Sequence, residues 1–197
     1  VRLLLASRNA KKLGEMRRIV APALPGLEVV GLDDVEAYEE VPESGATFAE
    51  NALLKAREGF TRTSLPTVAD DSGLTVDALN GMPGVLSARW AGSHGDDEAN
   101  LRLVLAQLSD TPDERLGAAF RCAVAYVDAA REFVVEGRMD GRLIREPRGT
   151  NGFGYDPIFV PSGLEQTSAE LDPATKDSIS HRGKALQLFV EHLQSKS

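Results

Sequence analysis

The chain has 197 residues, 42% hydrophobic and 26% charged, with 22 lysines and arginines against 30 acids and a formal net charge of -8. That balance suits one globular unit over residues 1–197, excludes the broad basic face that a nucleic-acid partner requires, and includes no run near the ~18 apolar residues of a membrane span. The single cysteine, Cys122, excludes an intramolecular disulfide and a cysteine-rich zinc site, so the expected compartment is the cytoplasm.

Arg2 to Ala6 is a nearly continuous apolar run, read as a buried strand rather than a signal peptide because Ser7 and Arg8 interrupt it. Leu13, Met16, Ile19 and Val20 recur at helical spacing over Asn9 to Val20. Leu27 to Val30 predicts a second strand, followed by a polar, acidic connector from Asp33 to Ser44. Thr47-Phe48-Ala49-Glu50 has the T-x-x-E form of a capping box, and a helix is expected from there to about Arg62.

Pro66 to Ala69 reads as a buried strand that terminates in Asp70-Asp71-Ser72-Gly73. Asn80 to His94 is glycine-rich and irregular, and Asp97 is placed as the cap of a helix carrying Ala99, Leu103, Leu105 and Leu108. Phe120, Cys122, Val124 and Tyr126 alternate with Arg121, Ala123, Ala125 and Val127, and Phe133 to Glu136 returns across a turn near Asp128 to Arg131 as a hairpin. A second glycine-rich loop, Gly149 to Asp156, precedes the strand-like Pro157 to Val160. After a polar stretch to Ser180, Ala185, Leu186, Phe189, Val190 and Leu193 mark a final helix. This order predicts an α/β fold with a mixed sheet and glycine-rich loops gathered around one cleft.

Four segments carry candidate chemistry. Ser7-Arg8-Asn9-Ala10-Lys11-Lys12 joins the first strand to the first helix, where free amides and the positive end of the helix dipole can hold phosphate and Lys12 adds a point charge. The alternative is an ordinary helix start, since glycine-rich P-loop spacing is missing. Asp70-Asp71-Ser72-Gly73 offers adjacent carboxylates suited to magnesium, or a turn with local hydrogen bonds. Of the upstream acids Glu39, Glu40 and Glu43, the last stands before Ser44-Gly45 and is the best placed to add a ligand. In Gly149 to Asp156, Phe153 or Tyr155 can stack on a base and Asp156 can accept from its N–H edge. Lys176 and Ser180-His181-Arg182 gather donors for a keto-bearing base or a phosphate.

Together with Thr47-Phe48-Ala49-Glu50-Asn51-Ala52, these segments resemble the inosine triphosphate pyrophosphatase family, in the family's order and over nearly the whole chain. The resemblance implies a long mixed central sheet with two lobes flanked by helices, a nucleotide cleft between the lobes, and a homodimer. It implies magnesium-dependent hydrolysis of deaminated purine nucleoside triphosphates (ITP, dITP, XTP) to the monophosphate and pyrophosphate. Asp71 matches the catalytic acid, with Asp70 beside it, and Asp71 and Glu43 are the implied metal ligands. Ser7, Arg8, Asn9, Ala10, Lys11 and Lys12 fall on the triphosphate loop and Ser72 on the substrate-contacting serine. Phe153, Gly154, Tyr155 and Asp156 match the base loop, and Lys176, His181 and Arg182 the donors around the purine.

Two departures stand out: Arg8 replaces a frequent glycine, and Pro42-Glu43 replaces a frequent glutamate pair. The rival readings are a phosphohydrolase with an aspartyl-phosphate intermediate and a nucleotide sensor without turnover.

Overall fold

In the computed structural model, which describes residues 1–195, strands β1 (Arg2–Leu5), β2 (Glu28–Val30), β3 (Thr67–Val76), β4 (Gly117–Val127), β5 (Glu132–Leu143) and β6 (Phe159–Pro161) form one sheet in the order β2-β1-β3-β4-β5-β6. β1 is parallel to β2 and to β3, whereas β5 and β6 are antiparallel, so the sheet is mixed as the element order predicts. The parallel pairings require crossovers, which α1 (Ala10–Ala23) and α2 (Phe48–Thr63) supply. β4 and β5 are joined by a turn in which Asp128 N–H donates to the Arg131 carbonyl at 3.0 Å, a connection short enough only for antiparallel neighbours.

The chain forms two compact units, and β3, β4 and β5 each contribute residues to both. The first comprises residues 1–71, 122–137 and the chain from Arg182; the second comprises residues 72–121 and 138–181.

In the first unit, strand alternation sorts the core. Val68, Cys122, Val124 and Tyr126 turn to the same cluster as Met16 and Val20 of α1 and Ala185, Leu186 and Phe189 of α5 (His181–Gln194). Their neighbours Ala69, Ala123, Ala125 and Val127 turn to the other face and meet Ala52 and Ala56 of α2. Small side chains on both partners let the α2 backbone lie close to the sheet. Asn51 and Lys55 on that helix are thereby carried toward β3.

The second unit has its own core, in which Leu74 and Val76 of β3, Phe120 of β4, Tyr155, Ile158 and Phe159 pack with Leu101 and Val104 of α3 (Asp97–Gln107).

The structure differs from the sequence expectations at several places, among them Pro157 and Ile158, which lie in a 3-10 turn so that β6 begins only at Phe159. β3 does not end at Asp70 but continues through Val76, because Leu74 and Val76 keep burying apolar side chains and the carboxylates on the way are paired. Asp96, not Asp97, caps α3, since its side chain accepts from the Ala99 N–H three residues on. The polar stretch before the last helix holds α4 (Pro173–Ile179), started by an Asp172 cap with proline in its first turn, and α5 already begins at His181.

Phe189 is fully buried among α1, α5 and the sheet. Phe189→Ala is expected to cost about 3–5 kcal/mol of unfolding free energy, read from urea denaturation.

Candidate active site

Consecutive residues of a strand point to opposite faces, and β3 applies that rule to two carboxylates. Asp70 follows Val68 toward α1 and α5, whereas Asp71 follows Ala69 toward α2. Both are buried, at 4% and 5% exposure, so each needs its own partners.

Asp70 Oδ2 accepts from Lys12 Nζ at 2.9 Å and from Arg182 Nε at 3.2 Å, with Cys122 Sγ at 4.0 Å. Arg182 Nη1 also donates to Glu15 Oε2 at 2.6 Å. Burial works against the Asp70 charge, yet the Lys12, Arg182 and Lys55 cations prevail and hold its carboxyl well below the usual range. Asp70 and Asp71 are thus not a paired dyad. Asp70 is the centre of a buried ion cluster, and Arg182, expected near a purine, belongs to that cluster. The same surroundings push the Cys122 thiol up to about 12, through burial first and the Asp70 charge second.

Asn9 caps α1, its Oδ1 accepting from the Lys11 and Lys12 amides at 3.0 and 3.3 Å, while Ser7 Oγ accepts from the Asn9 amide at 3.2 Å. These short side chains shape the turn from which Lys12 reaches Asp70. Ala10 and Lys11 are exposed in the first turn of the helix. Arg8, in the position where glycine is frequent, bonds through Nε to Glu40 of the acidic connector.

Asp71 Oδ2 accepts from Asn51 Nδ2 at 3.0 Å. Lys55, one turn further along α2, donates to Glu43 Oε1 at 2.6 Å. Although burial opposes its charge, Glu43, Asp70 and Asp71 raise the Lys55 pKa. The Asp71 pKa is raised, by burial first and then by the neighbouring Glu43 charge, against the pull of Lys55 and Asn51. Asp71 and Glu43 are both hard oxygen donors of the kind a divalent cation prefers. Among the described residues no group of three or more His, Cys, Asp or Glu side chains forms a ready metal cage. Magnesium commonly takes only one or two carboxylates and completes its shell with water and substrate phosphates, so Asp71 and Glu43 fit a substrate-borne ion.

In the second unit, Asp156 Oδ2 accepts from Lys176 Nζ at 2.6 Å and from the Phe153 amide at 2.9 Å. Gly152 has φ +76, and a Cβ there would stand 2.1 Å from that same oxygen, so only glycine fits beneath the loop. Phe153 is half-buried, with Lys176 Nζ 5.5 Å from its ring centre. The Gly154 amide donates to Asp97 Oδ2 at 2.8 Å.

Tyr155 departs from its expected stacking role. It is 4% exposed and its hydroxyl donates to the Ser87 carbonyl at 2.7 Å, which makes it a core residue and leaves Phe153 as the available aromatic face. His181 stacks on Phe120 at 4.9 Å, and Ser72 is half-buried on β3. Phe153 and Gly154 also line a groove of about 580 Å³ with Leu101 and Leu105 of α3, whereas Asp156, Lys176 and His181 do not.

Sequence reasoning passed over Asn51, Lys55 and Glu15. The first two carried a signal: they lie four residues apart and beside Ala52 and Ala56, hence one turn apart and next to the buried face of an amphipathic helix. Glu15 carried none, because its partner Arg182 is 167 residues away.

Arg182→Met is expected to leave Asp70 and Glu15 short of their shared cation and to cost about 3–5 kcal/mol in a denaturation curve. Cys122 in the native protein is expected to resist iodoacetamide at mildly alkaline pH and to react once the protein is unfolded; mass spectrometry of the alkylated chain checks this.

The pattern of the Ham1 family matches residues 3–192 of the chain. The dITP/XTP pyrophosphatase of Mycolicibacterium paratuberculosis is 60% identical over 195 residues, which are 98% of this chain and 96% of the relative. That of Nocardia farcinica is 62% identical over 194 residues, covering 98% and 94%. Among solved structures, the Mycobacterium abscessus nucleoside-triphosphatase / dITP/XTP pyrophosphatase superposes with a TM-score of 0.80 at 61% identity, covering 96% of this chain and 98% of that one. The Staphylococcus aureus Ham1 protein superposes with a TM-score of 0.90 at 35% identity and full coverage of both chains. A match of this length, joined to this arrangement of charges, places the chain in the Ham1 family.

Proposed function

We propose that the protein hydrolyses deaminated purine nucleoside triphosphates such as dITP, ITP and XTP to the monophosphate and pyrophosphate. The observation that carries this reading is identity of 60–62% over nearly the full length to relatives named for dITP and XTP. The site chemistry agrees with it. The first unit gathers cations at the end of α1, which suits phosphate, and the second offers an aromatic face beside a lysine, which suits a base.

In the mechanism, Lys12 at the start of α1 holds the triphosphate, and Asp71 orients the water that attacks the α-phosphorus and accepts its proton. Asp71 and Glu43 would hold magnesium, which when bound supplies positive charge against the negative charge of the phosphate oxygens. Asp70, locked between Lys12 and Arg182, fixes the Lys12 ammonium rather than touching water. Phosphoryl transfer depends on positioning and charge more than on covalent chemistry, so no protein nucleophile is required. A cytoplasmic homodimer acting on free nucleotides, without nucleic-acid or membrane partners, completes the proposal. No helix among the described residues is long and apolar enough to cross a membrane.

Inosine differs from adenosine at two adjacent positions, where a keto oxygen and N1–H replace an amino donor and a bare nitrogen. A pocket that donates toward the six-position, with Lys176 or His181 supplying or backing the donor, and accepts from N1–H leaves adenine with two mispaired groups. At about 1–3 kcal/mol each, they amount to roughly 2–6 kcal/mol, or about 30-fold to 10⁴-fold discrimination.

A nucleotide panel with separate detection of pyrophosphate and orthophosphate is expected to show dITP and XTP far ahead of ATP, with pyrophosphate as first product. Comparable ATP efficiency, or orthophosphate first, would contradict the assignment. Asp71→Asn is expected to remain folded and to lose about 10²-fold to 10⁴-fold in turnover. Phe153→Ala is expected to weaken all purine substrates together, since every base offers a π-face, whereas Lys176→Met should compress the ratio of dITP to ATP efficiency.

A further inference from the structure

Thr47-Phe48-Ala49-Glu50-Asn51-Ala52 starts α2. Thr47 Oγ1 accepts from the Glu50 amide at 3.1 Å, and Glu50 Oε2 accepts from the Ala46 amide at 2.6 Å. Neither bond calls for asparagine at the next position. Asn51 is nevertheless fully buried, 0% exposed, beside Ala52 on a helix whose Ala52 and Ala56 pack in an apolar cluster, and a buried amide is costly unless both of its ends are bonded.

Both ends are bonded, to two different segments. Asn51 Oδ1 accepts from the Gly45 amide at 2.7 Å, and Asn51 Nδ2 donates to Asp71 Oδ2 at 3.0 Å. These partners fix the orientation of the amide, because an N–H requires the oxygen end and a carboxylate requires the nitrogen end. Gly45 lies two residues after Glu43, and a Cβ on it would come within 2.7 Å of Asn51 Oδ1, so the approach of this segment to α2 is as close as glycine allows. Lys55, one helical turn from Asn51, holds Glu43 Oε1 at 2.6 Å. One face of α2 therefore grips both carboxylates assigned to magnesium: Asp71 directly, and Glu43 through Lys55 and through the backbone of its own segment.

We infer that Asn51 is a positioning residue that sets the Asp71 carboxylate relative to the Glu43 segment by holding both with one amide. The inference rests on the reading of Asp71 and Glu43 as the groups that face the triphosphate and its metal. Partners of this kind behind metal ligands are worth about 10-fold to 100-fold in metal affinity or activity. Asn51→Asp isolates the role. It is nearly isosteric and still accepts from Gly45, but it loses the donor to Asp71 and sets a carboxylate against it.

The experiment measures kcat and KM for dITP in the parent and in Asn51→Asp. It also measures Mn2+ affinity in the presence of inorganic tripolyphosphate, by electron paramagnetic resonance, with thermal unfolding of each protein. The expected result is a kcat lower by about 10-fold to 100-fold, a KM within about 3-fold, and a Mn2+ affinity altered by about 10-fold or more in folded protein. A kcat and a Mn2+ affinity both within about 3-fold of the parent would overturn it and leave Asn51 as a packing residue. If Asn51→Asp does not fold, Asn51→Ala at reduced temperature is held to the same two criteria. A parent protein that releases no pyrophosphate from dITP overturns the functional reading instead, and the Mn2+ comparison still decides the role of Asn51.

Discussion

The two-residue repeat of β3 places Asp70 and Asp71 on opposite faces of the sheet, and the chemistry of the first unit follows from that separation. Were both carboxylates on one face, each would raise the other's pKa and compete for the same cations. Instead Asp70 is surrounded by Lys12, Arg182 and, through Arg182, Glu15, while Asp71 accepts from the Asn51 amide and lies in the field of the Lys55, Glu43 and Lys12 charges. One acid is neutralised within the protein. The other retains a reason to bind a cation.

The two units solve the same problem with the same device. In each, a buried aspartate pairs with a lysine, Lys12 with Asp70 at 2.9 Å and Lys176 with Asp156 at 2.6 Å. Buried pairs of this kind contribute little net stability, because desolvation offsets much of the Coulomb attraction. Their value is in position: a long lysine side chain that would otherwise sample many rotamers is held in one place before a ligand arrives, and that lowers the entropy to be lost on binding. The loop before Asp156 gains the same order from bonds to Asp156 and Asp97.

Much of this was legible in the residues. Alternation predicted the β4–β5 hairpin, helical spacing located α1 and α5, and a capping box located α2. The motifs that resemble the inosine triphosphate pyrophosphatase family named Asp71, Lys12 and Lys176 directly. What the sequence did not convey was which residues pair. Asp70-Asp71 reads as a dyad at the end of a strand until the strand is seen to continue, and the decisive cue, Leu74 and Val76 resuming the alternation, follows a serine and a glycine that suggest a turn. Tyr155 looks like a stacking residue by composition, yet its hydroxyl finds a carbonyl 68 residues back in the chain, a bond no local pattern could announce. The Arg182 partners are similarly remote.

The central claim is that water, oriented by Asp71, attacks the α-phosphorus without a covalent protein intermediate. Single-turnover hydrolysis of dITP in 18O-labelled water, with product analysis by phosphorus NMR and mass spectrometry of the protein, tests it most directly. The account predicts one solvent oxygen in the deoxyinosine monophosphate, none in pyrophosphate, and no nucleotidyl adduct on Asp70 or Asp71 in acid-quenched protein. Label in pyrophosphate, or a nucleotidyl adduct on either carboxylate, would contradict it.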